Sequence, residues 1–299
     1  MLPPARDEQA YVSVSPIEAG RITLPESSFV RPADPAVAHT VPSLAFLITH
    51  TRPGRDGRRL ILFDLGLRSS VSGYSERQQE HLLNRRPYVI GPGIAEILRN
   101  GGYDPSDIDM VILSHVHYDH HGDPEHFPNA QFFVGPGSLQ LLEHGLQTSA
   151  SHQHFTKDLL PSGRTTELPE IGVERNLKWQ PLGPFSSIDL LGDGSIFVLN
   201  SPGHLPGHIN LLCRVSPQNW VCLCGDAYHD RRLLTGEREI ALWEGAHGEL
   251  CCIHVDPEYA KKALGQLREL SAQGNVELIG AHDASWVAAN QGRMFPATL

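Results

Sequence analysis

One short stretch of the chain, VILSHVHYDHHGD, places four histidines and an aspartate within seven residues. The apolar run that precedes them predicts a buried strand. Because side chains two residues apart lie on the same side of an extended chain, His115 and His117 can hold one ion together. A turn after the strand can direct Asp119 and His120 toward a neighbouring position, with Gly122 supplying the tight backbone. Imidazole and carboxylate groups are ligands that borderline divalent metals prefer, so this stretch predicts a metal site.

Three further strand-like runs end in a potential metal ligand. His204 follows SIFVLN in the segment SPGHLPGH, Asp226 follows WVCL, and His282 follows VELIG. In open α/β architectures, functional side chains gather where strands reach their carboxyl ends. We therefore expect these three residues to join the four ligands of the first stretch in one site.

The hydrophobic pattern predicts an α/β chain in which sheets are covered by helices. Strands are predicted at Leu44–Thr49, Leu60–Asp64, Met110–Ser114, Gln131–Gly135, Ile196–Asn200, Ile209–Arg214 and Trp220–Cys224. Helices are predicted at Gly93–Asn100 and Pro257–Leu270. The second helix has Asp256 as its N-cap and an apolar stripe that consists of Tyr259, Ala263, Leu267 and Leu270. Asp193-Gly194 is a hairpin turn signal.

No repeat and no Pro-, Gly- or Ser-rich linker divides the chain, so a single domain over residues 1–299 is predicted. Residues 144–180 are polar and poorly periodic, which is typical of a surface excursion. Such segments often serve as lids or pocket walls, and we predict that role here, with a solvated insertion without a role as the alternative.

Composition excludes several classes of function. The formal net charge is −10 and no run of Lys or Arg occurs, which argues against a nucleic-acid partner. No apolar run approaches the roughly 20 residues of a membrane span. The start, MLPPARDEQA, lacks the pattern of a signal peptide, and the five cysteines do not form a secreted framework, so the cytoplasm is the expected location.

The segments HVHYDHHG, SPGHLPGH, GDAY and AHD, in that order, resemble the successive signatures of the metallo-β-lactamase superfamily. The earlier ILFDLGL, with Asp64, resembles the strand-end aspartate that supports the site from behind in that family. The resemblance runs from about residue 44 to residue 284. It implies a four-layer αβ/βα sandwich, the metallo-β-lactamase fold, with metals at the edge of two facing sheets.

The resemblance also implies a ligand set for two divalent metal ions. One ion would be held by His115, His117 and His204, and the other by Asp119, His120 and His282, with Asp226 bridging both. Two ions about 3.5–4 Å apart can share a hydroxide. A ligand set of nitrogen and oxygen atoms admits zinc, manganese, iron or cobalt; zinc is the first expectation and the other three are alternatives.

Several residues differ from the patterns of individual branches of the superfamily, and these differences indicate which branch the chain resembles most. His120 and Asp226 stand where the best-known antibiotic-cleaving enzymes have Arg or Cys, and His117 stands where flavodiiron proteins have Glu. Only 17 residues follow His282, too few for the helical glutathione domain of glyoxalase II. The chain is most similar to the N-acyl-homoserine lactonase group. Lactonases of that group place a Tyr three residues after the bridging Asp, whereas this chain has His229 there and Tyr228 one residue earlier.

The function implied is a dinuclear metal-dependent hydrolase that opens a lactone ring by attack of a metal-bridging hydroxide. Asp119 is predicted to move a proton to the leaving atom, and Tyr228 to polarise the substrate carbonyl, with a packed aromatic as the alternative for Tyr228. The expected substrate is a small cyclic ester or amide, without nucleic acid or membrane as partner, and a homodimer is an open expectation. A lactam or cyclic-carbamate hydrolase acting in detoxification is the second prediction. A single-iron sulfur oxygenase and a noncatalytic metal-binding module are the remaining alternatives.

Overall fold

The structure is a computed structural model, and it describes residues 2–51, 57–146, 154–173, 176–245 and 248–299. Its strands are β1 (Tyr11–Pro25), β2 (Val30–Arg31), β3 (Ala38–Thr51), β4 (Arg58–Phe63), β5 (Met110–Ile112), β6 (Gln131–Val134), β7 (Thr165–Glu167), β8 (Gln180–Leu182), β9 (Phe185–Asp189), β10 (Ile196–Asn200), β11 (Ile209–Arg214), β12 (Trp220–Leu223), β13 (Glu239–Ile240), β14 (Trp243–Glu244), β15 (Leu250–Cys251) and β16 (Val276–Ile279). Its helices are α1 (Glu76–Leu83), α2 (Ile94–Asn100), α3 (Ser138–His144), α4 (Arg231–Thr235), α5 (Pro257–Ser271) and α6 (Ala284–Ala289).

Two six-stranded sheets form the body of the molecule. The first has the order β1-β3-β4-β5-β6-β7 and the second the order β16-β12-β11-β10-β9-β8. In the first sheet β1, β3 and β4 are antiparallel, and β4 to β7 are parallel. In the second sheet β16 is parallel to β12, and the remaining neighbours are antiparallel. Two small ribbons, β2 with β13 and β14 with β15, lie outside these sheets.

Alternation of apolar side chains along the strands produces four layers. In β4, Ile61 and Phe63 belong to the buried cluster between the two sheets, whereas Leu62 belongs to the cluster that packs against α2 and α3. In β12, Val221 also faces the space between the sheets, and Cys222 packs on the side of α4 and α5. Each sheet is therefore covered by helices on its outer face, and the predicted αβ/βα sandwich is confirmed.

The predicted elements recur with small changes at their ends. All seven predicted strands overlap β3, β4, β5, β6, β10, β11 and β12, and the two predicted helices overlap α2 and α5. In α5, the Asp256 carboxylate accepts a hydrogen bond from the Tyr259 N–H at 3.0 Å, as an N-cap does. The prediction that Tyr259 belongs to the apolar stripe was wrong, because its side chain is 48% exposed and the buried face begins at Ala260.

The segment predicted as a surface excursion is partly ordered into the first sheet. β7 pairs in parallel with β6, and the Phe155 ring stacks on the His117 ring with 5.8 Å between centroids. Residues 147–153 and 174–175 of the predicted 144–180 segment lie outside the described residues. The predicted hairpin signal lies between β9 and β10, where Gly194 has φ +74°. Among the helices in the described part of the chain, none has the length and apolar character needed to span a bilayer.

Candidate metal centre

Four strand ends meet at one edge of the two sheets. β10, β12 and β16 run in the same direction, because β10 and β12 are both antiparallel to β11 and β16 is parallel to β12. Their carboxyl ends lead to His204, Asp226 and His282, while β5 in the other sheet leads to the HVHYDHH stretch. The N–H of Ile209 donates to the carbonyl of Ser114 at 2.9 Å and joins the two sheets at this edge.

The first donor set consists of three imidazoles. The Nδ1 atom of His117 lies 2.9 Å from Nε2 of His115 and 3.0 Å from Nε2 of His204. Together with a carboxylate oxygen of Asp226, these residues offer one ligand atom each, all within 4.8 Å of one another. Burial lowers the pKa of His117 to about 3 and the pKa values of His115 and His204 well below their usual range, so the rings are neutral and offer lone pairs.

The second donor set contains Asp119, His120 and His282, whose ligand atoms also lie within 4.8 Å of one another. His282 Nε2 lies 3.5 Å from Oδ2 of Asp119. Burial alone would lower the pKa of His120, but the carboxylates of Asp226 and Asp64 raise it well above its usual value. Burial would also lower the pKa of His282, but the carboxylates of Asp226 and Asp119 raise it above its usual value.

Asp226 lies between the two sets, with one oxygen facing each. Its Oδ2 is 3.4 Å from Nε2 of His204, and its Oδ1 is 3.2 Å from Nε2 of His120 and 3.4 Å from Nε2 of His282. Burial alone would raise its pKa, but the surrounding histidines, His120 first, hold the pKa of Asp226 well below the usual range. The carboxylate is therefore ionised, which is the form that binds a cation.

The donors fit divalent metal ions. His120 Nε2 and Asp226 Oδ1 are fully buried and lie 3.2 Å apart without forming a hydrogen bond, although buried polar atoms are almost always satisfied. Nδ1 of His117 lies 2.9 Å from Nε2 of His115 and 3.0 Å from Nε2 of His204. One ring nitrogen of a neutral imidazole is either a donor or an acceptor with a single lone pair, so a shared cation accounts for this double approach better than two hydrogen bonds do. All seven predicted ligands are brought together, and each contributes nitrogen or oxygen.

Buried partners orient the ligands from behind. Asp64, where φ is +58°, accepts hydrogen bonds from the Ser114 N–H at 2.6 Å and from the Ser114 hydroxyl at 2.8 Å. Its Oδ2 also lies 2.8 Å from Nδ1 of His120, which leaves Nε2 of that ring for a cation. His282 is oriented in the same way, since its Nδ1 lies 2.7 Å from the carbonyl of Pro42.

His208, which sequence reasoning did not select, fixes the backbone at the bridging aspartate. Its Nε2 accepts from the Asp226 N–H at 3.0 Å, and its Nδ1 donates to the Ser201 carbonyl at 2.9 Å. Burial lowers the pKa of His208 to about 4, so the ring is neutral and can accept in this way. Its position four residues after His204, in SPGHLPGH, is the signal that could have identified it.

Tyr228 lies outside the cluster of ligands. Its side chain is buried, and its hydroxyl donates to Oδ2 of Asp283 at 3.3 Å. The predicted role of Tyr228 at a substrate carbonyl is therefore corrected, because the tight turn after β12 directs this ring away from the ligands. His229 lies among them instead, with its Nε2 3.0 Å from Oδ2 of Asp226 and its ring stacked on Phe29 at 4.7 Å.

His254 is a second histidine at the site that is absent from the predicted ligand set. It is 2% exposed, and its Nδ1 lies 3.3 Å from Nδ1 of His204, the ring atom on the side away from His117. Burial lowers its pKa to about 3. No local motif marks this residue, since β15 and its neighbours bring it to the site from a distant part of the chain.

A small cavity of about 20 Å³ opens above the ligands. Its floor includes His117, Asp119, His204, Asp226 and His282, and therefore both donor sets. A larger groove lies on the outer side of the second sheet, near α4 and α5, and contains none of the seven predicted ligands. We assign the site by its donor chemistry rather than by size.

Residues 40–250, more than two thirds of the 299, match the family model described as the metallo-beta-lactamase superfamily. The chain belongs to this superfamily, as its sequence motifs predicted, and the fold family implies a divalent metal ion. Gamma-lactamase FDB1 of Fusarium pseudograminearum is 33% identical over 69% of this chain and 50% of that protein. Metallo-hydrolase mfmC of Annulohypoxylon moriforme is 30% identical over 98% of this chain and 83% of that protein.

The chain spans only 30–50% of the length of some curated relatives that it matches, FDB1 included. A solved N-acyl homoserine lactone hydrolase, with the product N-hexanoyl-L-homoserine at its catalytic metal centre, superimposes with a TM-score of 0.70. The match covers 96% of this chain and 98% of that chain at 21% identity, so it supports the fold. The names of these three proteins agree with the predicted metal-dependent hydrolase.

Proposed function

We propose that this chain is a dinuclear metal-dependent hydrolase that opens the ring of a small lactone. The observation that carries the proposal is the arrangement of two buried donor sets around Asp226, whose two oxygens face one set each. Seven nitrogen and oxygen donors suit two divalent ions, and zinc is the metal we expect. A cavity above both sets gives a small molecule access to them.

When bound, the two ions would lower the pKa of water and polarise a carbonyl oxygen near neutral pH. The protein's own groups orient the substrate and handle the proton. Asp119 lines the cavity and is 7% exposed, so its carboxylate can carry a proton to the leaving atom of the ring. Phe29 and Ile253 cover the cavity with apolar surface, which excludes water and holds the ring against the ligands.

A lactone is the first choice because its alkoxide leaves more easily than an amide nitrogen and depends less on protonation. A γ-lactam or cyclic carbamate is the second candidate. The similarity to a gamma-lactamase, 33% identity over 69% of this chain, favours it. His229 stands where a tyrosine is expected for a lactonase. This difference within the site bears on the choice between a lactone ring and a lactam or carbamate ring.

Ring opening of a substrate panel by the metal-loaded protein tests this proposal. The panel contains an N-acyl-homoserine lactone, γ-butyrolactone, 2-pyrrolidinone, benzoxazolinone and a penicillin. We expect the lactones to be opened, with kcat/KM falling by more than about 100-fold in His117→Ala, because a ligand of the first donor set is lost. His126→Ala is the matched control, since His126 is half exposed and lies a few residues beyond the ligand stretch.

Metal content is measured on the same samples by elemental analysis. Two equivalents per chain in the wild type and fewer in His117→Ala are expected. Turnover confined to lactams or carbamates would select the second candidate. One tightly bound iron per chain, without hydrolysis of any ring, would contradict the dinuclear hydrolase and favour the sulfur oxygenase alternative.

A further inference from the structure

The lining of the cavity above the metal centre combines apolar and polar groups. Leu24, Phe29 and Ile253 contribute apolar surface, and Arg85 and Tyr118 contribute polar groups besides the metal ligands. Small-molecule sites commonly combine apolar surface with a few placed polar groups that fix the orientation of the ligand. A ligand with an apolar ring and one polar substituent therefore matches this lining.

Arg85 is held in place by neighbouring groups. It follows α1, and its backbone carbonyl accepts a hydrogen bond from the Thr23 N–H at 3.0 Å. Its Nε lies 3.3 Å from Nε2 of His81, and its side chain also hydrogen-bonds to Tyr118. Burial lowers the pKa of His81 to about 4, so this ring is neutral and can accept from the guanidinium. These contacts reduce the ordering that ligand binding would otherwise require.

Arg85 gives the cavity a fixed positive charge. Among the described residues that line it, Arg85 is the lone lysine or arginine, and the carboxylates Asp119 and Asp226 both belong to the donor sets. Two divalent ions (+4) would outweigh these two carboxylates (−2), so both the floor and Arg85 would attract anions. This local field contrasts with the net charge of −10 on the whole chain.

We propose that Arg85 is a specificity-determining residue that binds a carboxylate carried by the substrate ring. The substrate class is then a small cyclic ester or amide with an acidic substituent away from the reacting carbonyl. A guanidinium recognises a carboxylate through two parallel hydrogen bonds, which gives both affinity and orientation. The identity of the ring as the reacting group rests on the proposed function, whereas carboxylate binding at Arg85 is measured without turnover.

The test compares binding of 3-oxocyclopentane-1-carboxylate and its neutral analogue 3-(hydroxymethyl)cyclopentan-1-one, ketones without a hydrolysable bond, to the zinc-loaded protein by calorimetry. We expect the wild type to bind the carboxylate about 10- to 100-fold more tightly than the alcohol, the range for one charged hydrogen-bonded pair. Arg85→Met should remove this preference, and Arg85→Lys should retain part of it because it keeps the charge but not the planar fork. Arg77→Met, an exposed arginine on α1, is the matched control and should keep the wild-type preference.

Equal binding of the carboxylate and the neutral alcohol by the wild type would overturn the proposal. Persistence of the preference in a folded Arg85→Met would overturn it too, since the carboxylate would then bind the metals. If Arg85→Met loses its circular-dichroism spectrum, Arg85→Lys and Arg85→Gln give the same comparison. If a lactone carboxylate is turned over, these variants should raise KM with little change in kcat, because the contact is remote from the bond that breaks. A silent substrate panel together with Arg85-dependent binding would refute the hydrolase function and leave the carboxylate site intact.

Discussion

Asp64→Asn should weaken metal binding although Asp64 is not itself a ligand. In the wild type both carboxylate oxygens act as acceptors, from the N–H and hydroxyl of Ser114 at 2.6 and 2.8 Å and from Nδ1 of His120 at 2.8 Å. Asparagine has one acceptor and one donor group in the same space. If its NH2 faces His120, the ring proton moves to Nε2, the atom that the cation needs. If the amide is turned the other way, its NH2 faces the Ser114 N–H.

The expected loss is about 10- to 100-fold in metal affinity, the usual effect of removing such a supporting partner, or about 1.4–2.8 kcal/mol. The metal-free protein should not lose stability. Burial raises the pKa of Asp64 despite its hydrogen-bonding partners, so the buried charge lowers the stability of the folded state, and a neutral amide removes this effect. The backbone also tolerates the change, because asparagine accepts the φ of +58°.

Competition with a chromophoric chelator measures the affinity, and urea unfolding of the metal-free protein measures the stability. Asp109→Asn is the matched control, since its carboxylate accepts from the Leu60 N–H at 2.7 Å near the opposite end of β5. Unchanged metal affinity in Asp64→Asn would refute the reasoning about the His120 tautomer. A loss of more than about 2 kcal/mol in the metal-free protein would assign Asp64 to folding instead.

Three further predictions follow from the described contacts. Arg214→Met should lower the unfolding free energy in urea by about 2–4 kcal/mol, because the buried guanidinium stacks on Trp220 at 3.9 Å and satisfies backbone carbonyls; a loss below 1 kcal/mol would contradict this. His229→Phe should lower kcat/KM for ring opening at least about tenfold, and Tyr228→Phe less than about threefold, because of the two side chains only the histidine contacts Asp226. A larger loss in Tyr228→Phe than in His229→Phe would restore the tyrosine as the catalytic group. Metal affinity should fall as pH decreases through the raised pKa of His282, because this ring must lose its proton to bind a cation. Calorimetry in buffers of different ionisation enthalpy measures the protons released on metal binding, and the absence of proton release would refute this prediction.

Local sequence was enough to identify the family and the four-layer fold, and it predicted the residues that the structure brings together in the two donor sets. The strand before His115, the strand ends before His204 and Asp226, and the helix that Asp256 begins are all encoded by residues close together in the chain. Apolar periodicity, capping and the spacing of ligands are local properties, which explains why they can be read without a structure. The order of ligand-bearing strands also implied that their ends would share one edge.

Other features depended on the tertiary structure. Whether Tyr228 or His229 faces the ligands is decided by the turn after β12, where Gly225 has φ +48° and the Ala227 N–H donates to the Cys224 carbonyl at 3.0 Å. This turn brings the third residue after Asp226, rather than the second, to the side of the ligands.

Contacts between distant segments were equally absent from the local pattern. His254 reaches His204 across 50 residues, and Arg85 reaches the cavity from the segment after α1. Sequence periodicity reports which side of one element is buried, but not which other element covers it. Which groups meet in the cavity is therefore decided by how the two sheets and their connecting segments pack, since packing sets the direction of each side chain at a turn.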